Sequence, residues 1–239
     1  YKDDPCECFK LKGEQNRDIN EKQLEIRMHK AMSVIQFKVE GQIIKKNPGF
    51  HLEDRNLLDK IDYERGVITL DGKEYEMLDI NFPTIDPKHP YALSKDEEEI
   101  MSRLESAFLN CEKLQDHMRF LLNKGGLYKV YNGNLLYHGC VPLKEDGTLK
   151  SVRLYGRSYK GKSLYEVLES YVRKGFYALN KKEKERGKDM MWYIWLSENS
   201  PLFGKDKMAT FERYFLAEKE THKEKKNPYY NLLENEKVI

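Results

Sequence analysis

A mixed α/β (α+β) domain, with helices interleaved with short antiparallel hairpins, is what this 239-residue sequence predicts. Three observations carry the prediction. Apolar residues recur at steps of three and four over 20–39 and again over 100–121, the stripe of an amphipathic helix. Two dipeptides, Asp71-Gly72 and Asn132-Gly133, stand between runs of strand composition and signal two-residue hairpin turns with positive φ. The order helix, hairpin, helix, hairpin, helix, strand contains no internal repeat, which fits a mixed domain.

In the first helix Leu24, Met28, Ala31, Met32, Ile35 and Val39 share a face, and Gly41 is expected to end it. Asn47-Pro48-Gly49 breaks the chain. Runs 66–70 and 73–78 around Asp71-Gly72 form a small hairpin. Pro83, Pro87 and Pro90 cannot sit in a helix interior or a central strand, so 81–91 reads as an extended connector. This divides the chain into 1–90 and 91–239. Ser94 with Glu97 makes a capping box, and Ile100, Leu104, Phe108, Cys111, Leu114, Met118 and Leu121 continue as one long helix until Gly125-Gly126. Runs 127–131 and 134–138 surround Asn132-Gly133, so His138 closes the second strand. Ser163 with Glu166 caps a helix over 164–180, the charged run 181–189 reads as a solvated loop, and the apolar, aromatic run 190–196 as a buried strand.

Composition narrows the function classes. Lys plus Arg number 42 against 40 Asp plus Glu, and a net charge of +2 creates no field for polyanions, which argues against dedicated nucleic-acid binding. Aromatic residues at 12% argue for a folded chain although charged residues reach 34%. The four cysteines Cys6, Cys8, Cys111 and Cys140 outline no disulfide framework, which points to a reducing, cytoplasmic setting. Cys6 and Cys8 lack a second Cys or His pair for zinc and read as ordinary thiols. The longest stretch without Lys, Arg, Asp or Glu, 130–143, is shorter than the roughly 18 apolar residues of a membrane span. The first residue is Tyr1, with neither an initiator Met nor an apolar signal segment, as in a portion of a longer chain.

Two local patterns could carry chemistry. Gly156, Gly161, Lys162 and Ser163 satisfy G-x-x-x-x-G-K-[ST], whose backbone N–H groups cradle phosphates when a buried parallel strand precedes them. Here 151–155 is half polar and Arg157, Tyr159 and Lys160 crowd the loop, so a polar loop leading into a helix is the competing reading. The second pattern is His138-Gly139 after an apolar strand. A strand-end imidazole followed by glycine can be aimed at a metal from a rigid edge; a hydrogen-bonded structural histidine is the alternative.

Longer runs carry a resemblance: Asn81-Phe82-Pro83-Thr84-Ile85-Asp86-Pro87; Tyr131-Asn132-Gly133-Asn134-Leu135-Leu136-Tyr137-His138-Gly139-Cys140-Val141-Pro142; Trp195-Leu196-Ser197-Glu198-Asn199-Ser200-Pro201-Leu202-Phe203-Gly204-Lys205; and Thr221-His222-Lys223-Glu224-Lys225-Lys226-Asn227-Pro228-Tyr229-Tyr230. Over nearly its whole length the sequence resembles the class III fructose-1,6-bisphosphatases of bacteria, and its strand-His-Gly element is similar to that of calcineurin-like metallophosphatases. The resemblance implies a portion of a four-layer αββα sandwich. It implies a two-metal Mn²⁺ centre and hydrolysis of the 1-phosphate of fructose 1,6-bisphosphate to fructose 6-phosphate in cytoplasmic gluconeogenesis. Metals of such a centre activate water, polarise the phosphoryl oxygens and stabilise the leaving alkoxide.

Of the family's metal-binding positions only His138 is matched. The Asp-x-His, Gly-Asp-x-x-Asp-Arg-Gly and Gly-Asn-His-Asp elements expected upstream, and the Gly-His element expected downstream, do not occur. His222, in a Lys- and Glu-rich segment, is no substitute and is expected to sit among solvated charges. The chain therefore resembles a middle portion of the enzyme and is expected to be inactive alone. Asn199, Lys205 and Lys207, after the apolar run, are candidates for contact with a substrate phosphate, with solvated lysines as the alternative. The expected partner is a sugar bisphosphate rather than nucleic acid or a membrane, and a homo-oligomer is compatible. The competing readings are a P-loop nucleotide-binding protein and a non-catalytic interaction module on the same fold.

Overall fold

The computed structural model describes residues 7–10 and 21–237. Cys6 lies outside the described residues. Contacts group the chain into two units, Tyr1–Ala107 with Thr210–His222, and Phe108–Ala209 with Lys223–Ile239. Relative to a division at residue 90, residues 91–107 join the first unit and 210–222 return to it.

In the first unit, helix α1 (Glu21–Lys46) runs through Gly41 instead of ending there. A Cβ on Gly41 would lie 2.0 Å from Cε1 of Tyr91, so the glycine makes room for an aromatic ring rather than stopping the helix. The stop comes at Asn47-Pro48, where the Asn47 side chain donates to the Ile43 carbonyl at 3.0 Å. Strands β1 (Ile61–Asp62), β2 (Val67–Leu70) and β3 (Lys73–Glu76) form an antiparallel sheet in that order. Its β2–β3 hairpin is the expected one: Leu70 pairs with Lys73, and Asp71 and Gly72 sit at φ 50° and 79°. The connector 81–91 is folded into turns rather than extended. Ile85 N–H donates to the Phe82 carbonyl and His89 N–H to that of Asp86, which places Pro83 and Pro87 second in their turns, where a fixed φ suits them.

Helix α2 (Lys95–Leu109) begins with the expected capping box: Ser94 N–H donates to Glu97 Oε2 at 2.8 Å and Glu97 N–H to Ser94 Oγ at 3.3 Å. Helix α6 (Thr210–Phe215) brings Phe211 edge-on to Phe37 and Phe215 edge-on to Phe82, and with Val34, Leu58 and Ile68 these make the core.

In the second unit the long helix expected over 100–121 is broken. Cys111 is extended (φ −82°, ψ 95°) between α2 and α3 (Glu112–Lys124). Phe108 and Leu121 of the apparent stripe are exposed while Leu122 is buried, so no single covered face held the helix continuous. Strands β4 (Tyr128–Tyr131) and β5 (Asn134–Tyr137) form the expected hairpin, with Asn132 and Gly133 at φ 49° and 74°. A hairpin not anticipated follows, β6 (Val152–Leu154) and β7 (Arg157–Tyr159).

Helix α4 (Lys162–Tyr177) has Gly161 at its N-cap position. Ser163 does not cap it: its hydroxyl donates to the Lys160 carbonyl and accepts from the Lys160 N–H. Helix α5 (Lys181–Leu196) replaces both the solvated loop expected over 181–189 and the strand expected over 190–196. Asn180 caps it by accepting from Glu183 N–H at 3.1 Å. Gly187, Met190 and Ile194 turn inward with a helical period while Met191 and Trp195 are exposed.

The fold is thus mixed α+β. Its described strands form three separate small antiparallel sheets, so the stacked sheets of an αββα sandwich are not among the described residues. No helix among them is long and apolar enough to cross a membrane.

Candidate functional site

In the second unit, three of the quoted runs meet around the end of β5. His138 follows Tyr137 directly and is exposed. The next residue, Gly139, has φ 89°, and a Cβ there would lie 2.1 Å from the Pro201 carbonyl oxygen, so only glycine permits this approach. Cys140 N–H donates to the same Pro201 oxygen at 2.8 Å, and the Tyr165 hydroxyl donates to the Cys140 carbonyl at 2.8 Å. Asn227 joins the third run: its Oδ1 accepts from Leu143 N–H at 3.2 Å and its N–H donates to the Gly204 carbonyl at 2.9 Å. The hydroxyls of Tyr137 and Tyr229 share a 2.6 Å hydrogen bond. The backbone on both sides of His138 is therefore fixed, which is what a ligand or positioning histidine requires.

The Cys140 thiol is buried and pushed up to about 11 by that burial. At pH 8 only about a thousandth of it is thiolate, the reactive form. Alkylation at pH 8 should therefore modify the exposed Cys8 and Cys111 and spare Cys140 until the protein unfolds, as read by peptide mass spectrometry. Prompt labelling of Cys140 in folded protein would contradict the packing described. Tyr229 is likewise raised to about 12, by burial first and by its bond to Tyr137 second.

The loop after α5 carries the substrate candidates. Ser200 Oγ donates to the Ile194 carbonyl at 2.6 Å, and the loop turns so that Pro201 faces the Gly139–Cys140 backbone while Gly204 faces the Tyr230 ring and the Cys140 sulfur. Lys205 Nζ lies 2.7 Å from Glu224 Oε2, and the other oxygen of Glu224 accepts from Ala209 N–H at 3.0 Å. Glu224 thus clamps the loop, a role the sequence reading missed because its partners lie 15 and 19 residues away. Asn199 is half-buried, and its Oδ1 is buried with no hydrogen-bond partner. Lys207, in the same loop, is half-buried, its N–H donating to Asp206 Oδ1.

The described residues do not make up a metal centre. Among the described residues no group of three or more His, Cys, Asp or Glu could hold a metal ion, so His138 offers one imidazole and no step of hydrolysis follows from this chain alone. His222 falls in the other unit and corrects the expectation of a solvated side chain: its half-buried ring nitrogen Nε2 lies 3.0 Å from the Leu216 carbonyl. His222→Ala should therefore cost the fold about 1 kcal/mol, measurable by urea denaturation, instead of being silent. The 156–163 loop is no phosphate cradle. Gly156 turns the β6–β7 hairpin with Tyr155 (φ 84° and 47°), the strand before it is antiparallel and three residues long, and Lys162 leans on Glu166 at 3.5 Å. In the run 81–87, Phe82 and Thr84 serve packing, Thr84 through a 2.6 Å bond from its hydroxyl to Glu97.

Comparison with known proteins adds the family. A model described as Firmicute fructose-1,6-bisphosphatase matches residues 1–239. The chain is 51% identical over 243 residues to the class 3 fructose-1,6-bisphosphatase of Alkaliphilus metalliredigens, covering 100% of this chain and 36% of that protein. It is 52% identical over 238 residues to that of Clostridioides difficile, covering 99% and 36%, and 50% identical over 246 residues to that of Listeria innocua, covering 100% and 37%. The chain spans about a third of the length of the curated relatives it matches. No solved structure matches it. A match along every residue, at half identity, means that the chain belongs to the Firmicute fructose-1,6-bisphosphatase family.

Proposed function

We propose that this chain is a portion of a class III fructose-1,6-bisphosphatase, a phosphoric monoester hydrolase that releases the 1-phosphate of fructose 1,6-bisphosphate. The observation that carries the reading is the family match along all 239 residues. In it His138 is one ligand of a Mn²⁺ centre whose other ligands come from outside the chain, and gluconeogenesis and a cytoplasmic setting belong to the same reading. The fixed backbone at Gly139 and Cys140 supports His138 as a presented side chain rather than a core one. Asn199 and Lys207 are the phosphate contacts proposed on the neighbouring loop. Lys205 joins them only by sharing its ammonium with Glu224.

The test is made on the full-length protein. His138→Ala should lower phosphate release and bound Mn²⁺ at least 100-fold, about 2.7 kcal/mol of lost stabilisation, while the melting temperature stays where it was, because the imidazole is exposed and packs little. His222→Ala should leave Mn²⁺ content unchanged. Full metal occupancy and activity in His138→Ala would sink the assignment. The 239-residue chain by itself should release no phosphate with added Mn²⁺.

A further inference from the structure

His138 stands next to the softest joint of its segment. Gly139 has to be glycine for its approach to Pro201, and a glycine takes positive and negative φ about equally, so Gly139 by itself does not fix the direction of the residue before it. The orientation of His138 must come from whatever holds the residues that flank the His138-Gly139 pair. On the far side both backbone groups of Cys140 are engaged: its N–H donates to the Pro201 carbonyl, and its carbonyl accepts from the Tyr165 hydroxyl at 2.8 Å. On the near side the Tyr137 ring lies edge-on to the rings of Tyr165 at 6.2 Å and Tyr229 at 6.4 Å, and its hydroxyl is bonded to that of Tyr229.

One side chain therefore reaches both flanks. Tyr165 meets Tyr137 through its ring and Cys140 through its hydroxyl. It is only 4% exposed, and it stands in the first turn of α4 between the fully buried Leu164 and Leu168. Tyr128 packs edge-on to the same ring at 5.8 Å. A hydroxyl carried on a buried ring of a packed helix has little freedom, which is the support a metal ligand needs to keep its geometry. None of the four runs that carry the family resemblance contains Tyr165.

We propose that Tyr165 is the positioning residue of His138, holding the imidazole in its binding geometry by fixing Tyr137 on one side and Cys140 on the other. The inference rests on the reading of His138 as a metal ligand, and the two are tested separately. In the full-length protein, Tyr165→Phe keeps the ring and removes the hydroxyl. It should raise the Kd for Mn²⁺, read by equilibrium dialysis on folded protein, about tenfold, the lower end of what a lost outer support costs a metal site, because this support reaches the imidazole through backbone. Excess Mn²⁺ should restore most of the phosphate release of Tyr165→Phe but not that of His138→Ala, which lacks the donor itself. Tyr63→Phe is the control for a lost structural hydrogen bond: it removes a hydroxyl that donates to the Leu58 carbonyl at 3.1 Å in the first unit, and its Mn²⁺ affinity should stay unchanged. Tyr229→Phe, which cuts only the bond to Tyr137, should weaken Mn²⁺ binding in the same direction and by less, and it decides the matter if Tyr165→Phe does not fold. Unchanged Mn²⁺ affinity in folded Tyr165→Phe, or in Tyr229→Phe where Tyr165→Phe does not fold, would overturn the proposal while loss of metal in His138→Ala leaves the ligand reading standing. An equal loss of affinity in Tyr63→Phe would also overturn it, since the effect would then be one of general stability. Normal Mn²⁺ binding by His138→Ala would remove the ligand reading, and the proposal with it.

Discussion

Replacing Lys38 by Met is expected to destabilise the first unit by about 3–5 kcal/mol, the loss that follows when one partner of a buried ion pair is removed. Lys38 is 0% exposed in the C-terminal half of α1, and its ammonium donates to Glu97 Oε2 at 2.7 Å and to the Thr84 carbonyl at 2.6 Å. Glu97, 3% exposed, also accepts from the Thr84 hydroxyl at 2.6 Å and from Ser94 N–H at 2.8 Å. One carboxylate therefore caps α2, holds the 82–85 turn and neutralises a lysine of α1. Without the ammonium it stays buried with neutral donors only, a costly state for a charge. The double variant Lys38→Met/Glu97→Gln removes both charges and should recover a large part of the loss, so the pair shows strong non-additivity in a double-mutant cycle. The exposed Arg65–Glu74 pair, at 2.7 Å, is the control, and Arg65→Met should leave the urea midpoint nearly unmoved. A Lys38→Met protein as stable as the Arg65→Met protein would mean that water reaches the Lys38 site.

That network shows what a sequence can and cannot reveal. The Ser94–Glu97 half was legible, because a capping box is chemistry between residues three apart. Lys38 was not, because its partners lie 46 and 59 residues away. The same distinction runs through the fold. Asp71-Gly72 and Asn132-Gly133 announced their hairpins since both residues must accept positive φ, whereas Tyr155, a bulky residue at φ 47°, gave no such signal and its hairpin went unseen. Gly41 looked like a helix stop until Tyr91 supplied the ring that needs its missing Cβ. The run 190–196 is too short to reveal its period. Read with Gly187 it is helical, but the reason for Gly187 lies in another helix. At the site, His138 was legible as a strand-end residue followed by glycine. The Glu224 clamp and the tyrosines behind His138 were not, because they join runs that only the folded chain brings together.

The α4–α5 pair carries the second large effect. Gly187→Ala is expected to cost the second unit about 3 kcal/mol or more, the upper end of overpacking penalties. A Cβ on Gly187 would lie 2.1 Å from the backbone nitrogen of Gly175, 2.4 Å from its Cα and 2.6 Å from the Tyr171 carbonyl oxygen. All three are backbone atoms of a helix, so no flexible side chain can swing aside, and the helices must separate. Gly175→Ala should be milder, since its nearest contact would be 3.0 Å, and Gly49→Ala, with nothing within 4 Å, should be near neutral. Thermal melts should rank the three variants in that order, with Gly187→Ala lower by about 10 °C. The damage should also travel. Ser200 Oγ is tied to the Ile194 carbonyl near the end of α5, and Pro201, the next residue, accepts the Cys140 N–H beside His138. A displaced α5 moves the loop that fixes Gly139, so the Gly187→Ala protein should show faster amide exchange at Cys140 as well as within α4 and α5. If Gly187→Ala melts like Gly49→Ala, the two helices do not pack through their glycines.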